Sequence, residues 1–75
     1  MHNKDIAFMI KFHRKKAGLS RNALAELAGV GKTAVFDIEN GKATVQMDTF
    51  QKILNVLNIQ CCFESAFMNE FNQNL

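Results

Sequence analysis

Leu19–Gly41 reads LSRNALAELAGVGKTAVFDIENG. Ser20 is placed to cap a short helix from Arg21 to Ala28, whose inner face is Leu24, Leu27 and Ala28. Gly29 turns the chain, and a second helix starts near Lys32 and ends at Asn40, closed by Gly41. With Gly31 at the N-cap, Val30 and Val35 hold the positions of a hydrophobic staple, which fixes the angle at which the chain enters that helix. The small side chain of Ala25 lets the two helices approach closely, while Leu24, Val30, Val35 and Ile38 fill the angle between them.

Outward from this stretch the chain is helical on both sides. Asp5 to Ala17 predicts a first helix with Ile6, Ile10 and Ala17 on one stripe, Lys11, Lys15 and Lys16 outside it, and Gly18 as its stop. After a loop at Lys42–Thr44, a fourth helix is expected over Val45–Asn58, with Met47, Phe50, Ile53, Leu54 and Leu57 facing in. Ile59–Phe63 alternates as a strand does, Ile59, Cys61 and Phe63 on one face and Gln60 and Cys62 on the other. In the tail, Glu64–Leu75, the four-residue spacing of Phe63, Phe67 and Phe71 suits a short fifth helix, fraying toward Asn69–Asn74.

Seventy-five residues make one domain with a thin core, which a second copy would help to stabilise. The absence of proline and the four glycines favour helices over a sandwich or barrel. The longest apolar run, Ile6–Ile10, is far short of a membrane span, and no export signal appears, so a cytoplasmic location is expected. Residues 1–42 carry eight Lys/Arg against four Asp/Glu, whereas residues 43–75 carry one against three. That asymmetry suits a polyanion at the front and a protein partner at the back. Cys61 and Cys62 are read as small hydrophobes, because neighbours on a strand point to opposite faces and His2 and His13 lie too far off for a metal site. His13 has no partner at a catalytic spacing, and no phosphate-cradling loop or nucleophile–base set occurs. The expectation is a protein that is not an enzyme and needs no cofactor.

Two short helices about a glycine-centred turn make a helix-turn-helix, whose second helix protrudes far enough to enter a major groove roughly 12 Å wide. Leu19, Ser20, Leu24, Ala25, Ala28, Gly29, Val30, Val35, Ile38, Glu39 and Gly41 stand in register with the Cro/cI/Xre helix-turn-helix family, which the chain resembles over nearly its whole length. The helix-plus-strand ending with an acidic tail most resembles HipB-type antitoxins. The resemblance implies an all-α, five-helix lambda-repressor-like domain with a short C-terminal strand paired across a homodimer. It also implies a palindromic double-stranded DNA operator, repression of the protein's own operon, and a HipA-like kinase toxin as partner. It further implies that Arg14 pairs with Glu39 inside the domain. Three positions depart from the family pattern: Arg21 where Gln is usual, Gly31 where Ser or Thr caps, and Asp37 on the outer face.

At about 100° per residue, Val35 and Ile38 face inward, Thr33, Phe36, Asp37 and Asn40 outward, and Lys32 lies on the flank. The base-contacting candidates are Lys32, Thr33, Phe36 and Asp37. Lys32 suits guanine O6/N7 or a phosphate, against a merely solvated lysine. Thr33 suits a thymine methyl or a phosphate. Asp37 suits cytosine N4, against a plain surface carboxylate. Phe36 suits a thymine methyl or a partner protein. Ser20, Arg21, Asn40 and Lys42, at helix ends, are the phosphate candidates. Lys11, His13, Arg14, Lys15 and Lys16 form a basic cluster that reads as a solvated face, Arg14 excepted.

Phe8 and Phe12 lie off the core stripe of the first helix, either packed on the tail phenylalanines or exposed to a toxin. Ile59–Phe63 has no second strand in its own chain, so symmetric pairing with another copy is the economical answer and makes Ile59, Gln60, Cys61, Cys62 and Phe63 the dimer-interface candidates. Three functions remain open: a DNA-binding antitoxin and autorepressor, a phage-type or host repressor without a toxin, and a protein-interaction module on a helix-turn-helix scaffold.

Overall fold

A computed structural model describes residues 3–42 and 44–74; Met1, His2, Ala43 in the expected 42–44 loop and Leu75 at the tail's end lie outside the described residues. Five helices follow in order: α1 Asn3–Lys16, α2 Arg21–Ala28, α3 Lys32–Glu39, α4 Met47–Val56 and α5 Met68–Gln73. Helix α2 packs on α3 and α4, and α1 packs on α3. Their shared core is Ile10, Leu24, Ala25, Val35, Ile38, Ile53, Leu54 and Leu57.

The punctuation lies where the residue types demand it. Gly29 stands at φ 70°, a conformation that costs glycine little, and Val30 N–H reaches back to Ala25 C=O at 3.0 Å to close α2. Asn58, at φ 57°, closes the turn after α4, with Ile59 N–H donating to Leu54 C=O at 3.0 Å. Asparagine is among the few side chains that adopt this backbone readily.

Several expected positions change. Ala17 is exposed, and the inner face of α1 is completed by Ala7 and Arg14. Leu27 is exposed because the buried face of α2 is centred between Leu24 and Ala25, which puts position 27 about 110° away. Met47 is also exposed, since α4 begins there rather than at Val45 and the helix reaches the core only from Phe50 on.

The larger correction concerns Ile59–Phe63. Among the described residues there is no strand; Ile59 is half-buried against the core and Gln60 to Phe63 are exposed. A strand is a ladder, and this chain supplies no second rung for it. The tail is equally unsupported: α5 has no buried residue, and Phe8, Phe12, Phe63, Phe67 and Phe71 all remain exposed, so the tail does not cover α1. The radius of gyration, 14.0 Å, exceeds the roughly 11 Å of a compact chain of this length, consistent with a tail that stands off the body.

Candidate nucleic-acid interface

Helix α3 buries Val35 and Ile38 and leaves Lys32, Thr33 and Phe36 exposed. The hydrophobic staple forms as the spacing requires, with Val30 packed on the cluster that contains Val35. Gly31 caps α3 without a side-chain hydrogen bond. At the start of α2, Ser20 Oγ accepts from Ala23 N–H at 3.0 Å, which leaves the hydroxyl proton to donate outward.

Glu39 is the keystone of the site. Its side chain is 1% exposed and takes two guanidinium groups. Arg14 donates from Nε to Oε2 at 2.6 Å and from Nη2 to Oε1 at 3.1 Å, and its Nη1 reaches Leu19 C=O at 2.8 Å. The end of α1, the start of the motif and the end of α3 are thereby tied together. Arg21 adds a third bond, Nε to Oε1 at 3.1 Å. Burial pushes the Glu39 carboxyl up, but the hydrogen bonds and charges of Arg14 and Arg21 outweigh it and hold the group below its ordinary value.

Arg21 therefore has a structural engagement that its reading as a phosphate contact missed. Its guanidinium carbon lies 4.8 Å from the Phe36 ring centroid. The arginine that replaces the usual glutamine spans α2 and α3, held by Glu39 while one face of Phe36 rests against it. Phe36 is 41% exposed, so the ring is braced on the outer surface of α3 rather than loose there.

Asp37 and Lys42 come together: Lys42 Nζ donates to Asp37 Oδ2 at 3.4 Å. The pair partly neutralises the carboxylate on the outer face, and as an exposed ion pair it is worth about 0–1 kcal/mol, so it yields readily to a phosphate or a base. Asn40 is exposed and is the residue at which α3 ends.

Lys11 and Lys15 border an open cleft with Arg14, Ser20, Arg21, Asn22 and Phe36. Sequence alone places both lysines on a solvated face and does not single out Asn22. The four-residue spacing of Lys11 and Lys15 was the available signal, but only the packing of α1 beside the start of α2 brings that face to the motif. Among the described residues, no group of three or more His, Cys, Asp or Glu side chains could hold a metal ion, and no helix is long and apolar enough to cross a membrane.

These features can be set beside known proteins. The helix-turn-helix family profile matches residues 10–62. An uncharacterized HTH-type transcriptional regulator, y4mF, of Sinorhizobium fredii is 38% identical over 58 residues, covering 77% of this chain and 72% of its own. A solved structure described as "MDT Protein" superposes with a TM-score of 0.77 over 88% of this chain and 93% of that one, at 24% identity, a likeness of fold. With the Ser20 cap, the Gly29 turn and the outward face of α3 all in place, the chain belongs to the helix-turn-helix family.

Proposed function

We propose that this protein is a sequence-specific DNA-binding transcriptional repressor that inserts α3 into the major groove. The observation that carries the reading is the outer face of α3, with Lys32, Thr33 and the braced Phe36 exposed beside a basic cleft at the start of α2. In this reading Lys32 reads guanine or an adjacent phosphate, Thr33 and Phe36 meet thymine methyls, and Asp37 accepts from cytosine N4 after releasing Lys42. Ser20, Arg21, Asn40 and Lys42 hold phosphates, joined by Lys11 and Lys15. The regulator name of the Sinorhizobium fredii relative supports the same reading.

The test is binding to DNA from the protein's own promoter across a salt series. Log affinity falls with log salt at about −0.9 per phosphate neutralised. Lys32→Ala weakens specific binding by roughly 1–3 kcal/mol if the lysine reads guanine. Equal loss on specific and random DNA makes Lys32 a phosphate contact, and no binding to any promoter fragment ends the repressor reading.

The repressor acts as a homodimer on a palindromic operator, with residues 59–63 pairing across a two-fold axis. Support comes from Gln60 to Phe63 lying exposed without a ladder partner in their own chain. Half-sites one turn apart would then match recognition helices about 34–36 Å apart. Cys61→Pro removes a ladder donor and weakens self-association, as sedimentation reads directly; an unchanged association constant overturns the pairing.

The antitoxin role, with a HipA-like kinase toxin as partner, is proposed on the resemblance of the sequence to HipB-type antitoxins. Co-expression with the product of the adjacent reading frame tests it: an antitoxin copurifies with its toxin and relieves growth arrest.

A further inference from the structure

Four phenylalanines per chain are spent on nothing the DNA-binding reading uses. Phe8 and Phe12 stack on the outer face of α1, ring centroids 6.3 Å apart, and are 71% and 47% exposed. At about 100° per residue Lys4 and Lys15 fall within 40° of Phe8, and Lys16 Nζ stands 5.7 Å from the Phe12 ring. The face is an aromatic stripe bordered mainly by lysines, with Asp5 beside Phe12 on the Lys16 side.

The tail is its chemical complement. Phe67 and Phe71, one turn apart, are 74% and 57% exposed. Glu64 and Glu70 lie among them, and no Lys or Arg follows Lys52. Each surface has what the other lacks, apolar rings bordered by charge of opposite sign, and within a single chain the two stay uncovered.

We propose that the tail of one copy docks on the α1 face of a second copy, and the reverse, so that two exchanged arms close a two-fold dimer. Reciprocal exchange is a closed, self-complementary arrangement and leaves no open end to polymerise. Eight rings, each worth roughly 150–250 Å² when fully covered, bury on the order of 1,000 Å², the scale a specific interface needs. The exchange requires neither DNA binding nor ladder pairing of residues 59–63, and it gives the acidic rear of the chain a partner in the basic front.

The test uses two full-length variants, Phe8→Ser with Phe12→Ser and Phe67→Ser with Phe71→Ser. All four positions are outside the core, and circular dichroism checks that the helices persist. By sedimentation equilibrium each variant alone associates about tenfold or more weakly than the parent, since both of its arms are undone. An equimolar mixture associates more strongly than either, because the hybrid keeps one intact arm on one intact α1. The hybrid separates exchange between copies from a tail folded onto its own helix. Weakened variants that mixing does not restore overturn the proposal. So does a parent that stays monomeric, or a pair of variants that associate as the parent does, which would assign these rings to a different protein.

Discussion

Residues 19–41 and residues 59–74 are equally apolar, eleven of 23 positions in the first and eight of 16 in the second, yet their fates diverge. The first segment buries Leu24, Ala25, Val35 and Ile38, whereas the second buries no side chain fully and only Ile59 touches the core. Composition does not separate them; spacing does. The motif repeats its apolar residues at three and four positions over two helices that pack on each other, so their faces meet. The rear segment has a brief alternation and then a single turn of phenylalanines, with no element of its own chain opposite. Apolar surface becomes core only where the chain also delivers a second surface to it.

If the motif is self-sufficient, its keystone should matter most. Glu39→Ala leaves Arg14, 7% exposed, without its carboxylate and is expected to cost about 3–5 kcal/mol in urea unfolding. A double-mutant cycle with Arg14→Ala should show clear coupling, and additive losses would reduce Glu39 to a packing residue. Acid probes the same pair. The folded carboxyl titrates below its unfolded value of about 4.5, so the stabilisation is complete above that pH and is lost as pH falls through the lower folded value. Melting temperature should therefore drop more steeply below pH 4.5 in the parent than in Glu39→Gln; parallel curves would refute the assignment. A smaller effect tests the cap. Ser20→Ala removes the bond to Ala23 N–H and should cost about 1 kcal/mol.

The smallest effect belongs to the other region. Deleting residues 64–75 removes no buried side chain among the described residues and should change the body's unfolding free energy by less than about 0.5 kcal/mol at high dilution. At concentrations where copies associate, the parent should gain stability that the truncated chain lacks, because assembly stabilises by mass action. A large loss at high dilution would mean that the tail packs on its own domain, and the contrast between the two regions would disappear.

Legibility followed the same division. The bounds of α2, the start of α3, the Ser20 cap, the staple of Val30 and Val35, and the glycine stops all depend on interactions within about five residues, so the order of residues already contained them. The Arg14–Glu39 pair was legible through family resemblance, although 25 positions separate its members. Leu27 was misplaced because where the centre of a buried face falls depends on the neighbour that covers it, and periodicity does not carry that information. Met47 and Ala17 fit a helical stripe but fall at its ends, since α4 begins at Met47 and α1 stops at Lys16.

Residue order thus set the helix-turn-helix, its punctuation and which side chains turn outward on α3. Tertiary structure alone decided what those side chains do to one another. It bent Arg21 onto Glu39 and Phe36, joined Lys42 to Asp37, and carried Lys11 and Lys15 to the start of α2. Most of these contacts join different helices, and their distances are set by how the helices cross. Ile59–Phe63 marks the boundary between the two kinds of information. Its alternation is a property of the chain, but a ladder is a property of a pair, and the described residues hold no second strand to supply it.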